Sequence, residues 1–216
     1  MRISPFHVLA LIALVEASPS VAADWRLKTW PAGKLTLGAS HVGLAPDSYF
    51  DSNLLSFNAV SSSPFHPTVL RRHYEQAASD KAAGEKFYKL LADYNDRNGL
   101  VLAYKGAAEA IRARDASMFN KLTYVQDAAR TFEQAVSLDP RNPEIRFLRF
   151  SVESNLPAFL GLSKHVDEDK ELLLNAALAH PNSGLDAEAF RTVRGFLVGR
   201  GHVSEAEAER LKRVAE

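Results

Sequence analysis

The residues best suited to chemistry gather in one stretch, Lys164-His165-Val166-Asp167-Glu168-Asp169. His165 and Asp169 are four apart, so on a helix they share a face. An imidazole and a carboxylate so placed can ligate a metal together, or act as a base with its orienting acid. Two ligands from one helix do not complete a metal site, and no third is marked elsewhere in the chain. The same acids have a plainer use, because carboxylates in a first helical turn offset the positive end of the helix dipole. A metal-binding protein or hydrolase built on the His165/Asp169 face is therefore an alternative, and not the leading expectation.

Arg146 and Arg149 are the second candidates. They lie three apart on a segment otherwise rich in large apolar residues, Ile145, Phe147, Leu148 and Phe150. Guanidinium forks suit carboxylates, so the pair can bind an anionic group on a helical groove. The competing use is internal, an ion pair with Glu144, Glu153 or Asp169, since arginines of helical proteins commonly pair or snorkel. Arg146, Arg149, Lys164 and His165 are together the candidate partner-binding residues. Tyr104 and Lys105 read as packing and solvent residues. The chain has no H-E-x-x-H, G-x-S-x-G or P-loop, and Gly38-Ala39-Ser40-His41-Val42-Gly43 lacks the lysine and helix that a phosphate cradle needs. No catalytic residue, metal or cofactor is expected, and the chain is expected not to be an enzyme.

Composition narrows the classes further. Lys+Arg and Asp+Glu both number 26, so the basic excess that neutralises phosphates is missing and nucleic acid is not an expected partner. The absence of cysteine removes disulfides, thiolate nucleophiles and cysteine-based zinc sites. With 46% hydrophobic and 24% charged residues the chain resembles an ordinary soluble domain that can bury a core.

The elements that must position the candidates begin after an export signal. Met1 and Arg2 open a positive start, Val8 to Val15 is an eight-residue apolar run, and Val21-Ala22-Ala23 supplies small residues before Asp24. This tripartite pattern predicts a signal peptide over 1–23, cut after Ala23 or, alternatively, Ala22. The run is too short to span a bilayer, so no transmembrane helix is expected in the mature chain. Residues 24–66 hold both tryptophans and much Ser, Pro and Gly, and read as an irregular arm or linker.

From Pro67 the apolar residues recur at helical spacing. Ser79-Asp80-Lys81 and Gly84 suggest a kink or a split, and Asn98-Gly99 a left-handed stop. Met118, Leu122, Val125, Ala129, Phe132 and Val136 form the cleanest stripe. Asp139-Pro140 ends that helix, while Asn142-Pro143-Glu144 starts the next with a cap, a first-turn proline and an acid. Ser163 is expected to cap a helix whose second half, Leu172 to Ala179, is apolar nearly all round. Asp186 and a Ser204/Glu207 capping box begin the last two. About seven helices joined by short turns are expected, with no strand.

Ala128, Phe132, Ala135 and Pro140 follow the order A-x3-F-x2-A-x4-P, the second half of a tetratricopeptide repeat. Gly106 is the candidate close-approach glycine of the preceding helix, although it lies about ten residues further upstream than a 34-residue repeat would put it. The stretch Leu100 to Lys170 resembles a group of exported bacterial proteins of the Bacteroidetes type with tetratricopeptide-like helices. The resemblance rests on Leu100-Val101-Leu102-Ala103-Tyr104-Lys105-Gly106, on Pro143-Glu144-Ile145-Arg146-Phe147-Leu148-Arg149-Phe150, and on Asn155-Leu156-Pro157-Ala158-Phe159-Leu160-Gly161 with Ser163-Lys164-His165 and Glu168-Asp169-Lys170. It implies fold and export, and carries no activity.

The expected fold is all-α: antiparallel helix hairpins stacked as a short tetratricopeptide-like α-solenoid, with an irregular N-terminal arm. Residues 67–181 would form the hairpins, and 182–216 a C-terminal hairpin on the same body. The expected role is a protein- or peptide-binding or assembly module, periplasmic or secreted, with its partner in the cell envelope. A scaffold tethered through the 24–66 arm is the remaining alternative.

Overall fold

The structure is a computed structural model and describes residues 63–215. The expected signal segment, its cut after Ala23 and nearly all of the 24–66 arm lie outside the described residues. The chain divides into two units, Met1–His66 and Pro67–Glu216, and every helix below lies in the second. Among the described residues there are eight α-helices and no strand: α1 Pro67–Ser79, α2 Lys81–Leu91, α3 Gly99–Asp115, α4 Met118–Leu138, α5 Pro143–Glu153, α6 Val166–Leu178, α7 Ala187–Gly199 and α8 Glu205–Lys212. A single 3-10 turn, Ala158–Leu160, interrupts the α5–α6 connection. The protein is all-helical over this range.

Helix ends follow local chemistry. Asp80 leaves helical geometry and accepts from the Ala83 amide, so the weak patch at 79–81 is a split between α1 and α2. Gly84 makes no kink. It lies inside α2, where a Cβ would come 3.0 Å from Ile111 of α3, and its bareness lets the two helices approach. Asn98-Gly99 does not stop a helix in left-handed geometry. Asn98 is extended, and its side chain accepts from the amides of Leu100 and Val101, so the pair starts α3. Asn142, Asp186 and the Ser204/Glu207 capping box begin α5, α7 and α8 as expected. Ser163 does not cap α6: its hydroxyl donates to the Glu153 carbonyl at 2.8 Å, and His165 holds the cap position without a side-chain bond.

The tightest pairing is α3 with α4, joined only by Ala116 and Ser117. With so short a connection, nearly all of the chain between Gly106 and Ala128 is helical. A Cβ on Gly99 would meet the Ala135 carbonyl at 3.0 Å, and one on Gly106 would meet the Phe132 ring at 3.2 Å. Further along, the Thr131 hydroxyl donates to Glu109 at 2.7 Å. The buried face of α4 is thus Ala128, Thr131, Phe132 and Ala135. The stripe through Leu122, Val125, Ala129 and Val136 is rotated partly outward, because the face turned to α3 is the one whose Ala135 backbone and Phe132 ring fit against Gly99 and Gly106. At the start of α4, Phe119 is left 94% exposed.

Gly106 yields a direct test. Gly106→Val adds a branched side chain against a ring with no room to receive it, and is expected to cost about 1–3 kcal/mol in urea unfolding. Phe132→Ala is destabilising alone, but should absorb most of the Gly106→Val penalty in the double variant. Simple additivity would show that the two residues do not meet.

The rest of the core grows around α5, of which Ile145 to Ser151 are all buried. Leu70, Ala77, Phe87, Leu91 and Tyr104 pack on one side of the fold, and Leu173, Phe190, Val193, Leu197 and Leu211 belong to the C-terminal helices. The apolar second half of α6 is expected to be buried, and it is so on one side only. Leu173 and Ala177 are its buried apolar residues, and Asn175 and Ala179 are exposed.

Candidate functional site

Helix α5 is buried on nearly every side, yet it carries Glu144, Arg146, Arg149 and Glu153. Each is matched, since an unpaired buried charge costs several kcal/mol. Arg149 grips the Asp169 carboxylate through two bonds of 2.7 Å, and Arg146 reaches the same carboxylate at 2.8 Å. Asp169 has no exposed surface, and the residues Arg146 and Arg149 are only 6% and 3% exposed. Arg146 also donates to the Pro140 carbonyl and to Glu168 on the surface. Burial alone would lower the Arg146 pKa, but Asp169 and Glu168 outweigh it and raise it. Hydrogen bonding to Arg146 holds the Glu168 carboxyl below its ordinary value.

At the other end of α5, Glu144 accepts both arms of the Arg71 fork, at 2.8 and 2.7 Å. The Tyr104 hydroxyl donates to the same carboxylate at 2.6 Å. The remaining Arg71 nitrogen reaches Asp186, the N-cap of α7, and Glu188 in its first turn. One guanidinium thereby joins α1, α5 and α7, and Tyr104 adds α3. Burial opposes the charge on Arg71, but its three carboxylates raise its pKa well above normal. Burial, reinforced by Glu144, likewise pushes the Tyr104 phenol up and keeps it neutral.

Glu153 closes the C-terminal end of α5. It accepts from the His165 backbone amide and pairs with the His165 Nδ1, both at 2.9 Å. His165 and Asp169 therefore do not act as one face: the ring goes to Glu153 and the carboxylate to the arginines. Among the described residues no group of three or more His, Cys, Asp or Glu is arranged to hold a metal. Arg146 and Arg149 are enclosed rather than presented on a groove, and Asp169 is the partner they share. Of the four candidate binding residues only Lys164 is exposed, and His165 is half-buried.

An open cleft lies elsewhere. It has a volume of about 350 Å³ between the connection preceding α3 and the α3–α4 pair, with Tyr94, Arg97, Lys105, Gln134 and Leu138 in its lining. The Lys105 ammonium is tethered over it by donating to the Tyr94 carbonyl at 2.8 Å. Leu102 and Leu138 give it an apolar element, and Asn95, Thr131 and Ser137 add hydrogen-bonding groups. None of these residues belongs to a motif, so no spacing rule points to them. Lys105 alone was singled out by the sequence, as a solvent residue.

Below the cleft wall, Glu109 is buried against Thr131. Burial raises its pKa, and the Thr131 hydrogen bond offsets only part of that. Above the unfolded carboxyl pKa the folded state then holds its proton more tightly than the unfolded chain. Stability falls as pH rises through the folded pKa, and the penalty is complete above it. Glu109→Gln keeps an acceptor for Thr131 and removes this penalty. Its urea midpoint should exceed the parent's at pH 7 and converge with it near pH 4. A lower midpoint at pH 7 would show that the charged form is favoured.

Compared with family models, curated proteins and solved structures, the chain matches none.

Proposed function

We propose that the protein is an exported, non-enzymatic binding module whose helices form antiparallel hairpins of the tetratricopeptide kind, and that it takes an extended peptide segment of an envelope partner in the α3–α4 cleft. The falling register, Gly99 against Ala135, Gly106 against Phe132 and Glu109 against Thr131, supports the hairpin. The cleft carries the binding role. It is an open depression of about 350 Å³ that combines two leucines with side chains able to meet peptide amides. The clustered charges of α5, by contrast, are consumed inside the fold. Export is supported by the N-terminal sequence pattern, and no described helix is long and apolar enough to cross a membrane.

The test is selection of displayed random peptides against the full chain, repeated with Lys105→Glu and with Leu138→Arg. Both variants should weaken the selected peptides at least tenfold, while Glu171→Ala on α6 should not. Peptides that bind the cleft variants as tightly as the parent would defeat the assignment. Sequencing the N-terminus of protein recovered from the envelope should give Asp24 first, or Ala23 for the alternative cut; an intact Met1 would remove export.

A further inference from the structure

The C-terminal helix α8 is the most lightly held part of the fold. It spans eight residues, Glu205–Lys212, and its buried residue is Leu211. Such a short helix is far below the length that is stable alone, so its attachment decides whether it forms. The attachment runs through Leu211, through the Arg194 guanidinium, which donates to the Val214 carbonyl at 3.2 Å, and through the turn between α7 and α8. There the His202 amide donates to the Leu197 carbonyl at 3.1 Å. The His202 ring stacks on Phe196 at 5.1 Å between centres and meets Phe150 of α5 edge-on at 4.9 Å. Phe147 and Phe150 also pack edge-on against Phe196, so the imidazole completes an aromatic cluster that links α5, α7 and the start of α8.

We propose that His202 is an acid-sensitive latch: protonated, its ring leaves the Phe150/Phe196 cluster, and α8 swings free from the remainder of the helical body. The surroundings favour the neutral ring. Among the described residues no carboxylate bonds it, and the charges that act on it are both positive, Arg200 in the same turn and Lys170 on α6. α5 and α7 present the Phe150 and Phe196 rings to it. On α8, Glu207 is turned to the Ser204 amide and hydroxyl in the capping box. Attraction of a charged imidazole to the Phe196 face is already contested, since the Arg200 guanidinium lies 5.9 Å from that ring's centre. Burial, then Arg200 and Lys170, hold the His202 pKa below its ordinary 6.5.

The sign follows from linkage. A ring that is harder to protonate in the latched state binds more protons when released. The latch is at full strength above about pH 6.5, and is lost as pH falls through the latched pKa, with the released population rising up to tenfold per pH unit in that window.

Hydrogen exchange of amides 203–214 in the full chain, corrected for the intrinsic pH dependence, tests the proposal at pH 7.5 and 5.5. Protection of α8 should drop several-fold in acid while that of α3 and α4 holds. His202→Phe preserves a stacked ring without a proton site and should show equal α8 protection at both values. Lys170→Met with Arg200→Gln leaves His202 in place, removes both cations and should diminish the acid response. Unchanged α8 protection in the parent, the same acid loss in His202→Phe, or an undiminished response in the double variant would overturn the latch.

Discussion

Asp169→Ala is expected to be the most damaging single change in the protein, lowering stability by about 3–5 kcal/mol, or roughly 6–20 °C in melting temperature. The carboxylate has no exposed surface and receives three hydrogen bonds from two arginines. Its removal leaves two guanidinium groups enclosed with a single surface acid, Glu168, to serve them. Glu168→Ala should cost less than about 1 kcal/mol, because its side chain is 59% exposed and the pair is screened by water. The asymmetry between neighbouring acids is the measurement that matters. Replacing Arg146 and Arg149 by Met together with Asp169→Leu should recover most of the loss, since an apolar trio of similar volume removes the charges along with their desolvation cost. A loss below about 1 kcal/mol in Asp169→Ala would mean that the cluster is open to solvent.

Arg71→Met is the second large effect, about 2–4 kcal/mol. It strands Glu144, whose side chain is 12% exposed, with the Tyr104 hydroxyl and the N-terminus of α5 as its remaining support. Asp186 and Glu188 are more exposed, at 58% and 38% of their side chains, and their share of the loss is small. Arg71→Lys keeps the charge but loses the fork, and cannot bond both Glu144 oxygens while also reaching α7. About half of the Arg71→Met loss should therefore remain. A double-mutant cycle of Arg71→Met with Glu144→Gln, followed by urea unfolding, should return a coupling of about 1–3 kcal/mol. A coupling near zero would show that the bidentate pair contributes nothing.

The sequence carried local information well and long-range information poorly. Asn142-Pro143, Asp186 and Ser204/Glu207 were legible as helix starts because a cap is decided within four residues. Gly106 was legible as a glycine of close approach, but the pattern measured it against Ala128 and gave no sign of the Phe132 ring that it meets. Asn98-Gly99 misled, since the same pair serves a start or a stop depending on which helix it faces. The charged residues of α5 were visible, and Asp169 stood among the acids considered for Arg146 and Arg149, but no periodicity assigns partners. Arg71, 73 residues before Glu144, had no signal at all. The cleft was illegible for the same reason: its lining comes from a connection and two helices, and only folding brings them together.

The partners of α5 lie on both sides of it along the chain. Arg71 is made before Glu144, but Asp169 and the acids of α7 come after the whole of α5. A nascent chain that ends before Asp169 carries two arginines on a helix whose every apolar neighbour favours burial. Without that acid, burying the helix strands both cations, so the central helix depends on a residue 20 positions behind Arg149. A chain cut short of Asp169 is therefore expected to leave α5 unpacked, however well α3 and α4 pair.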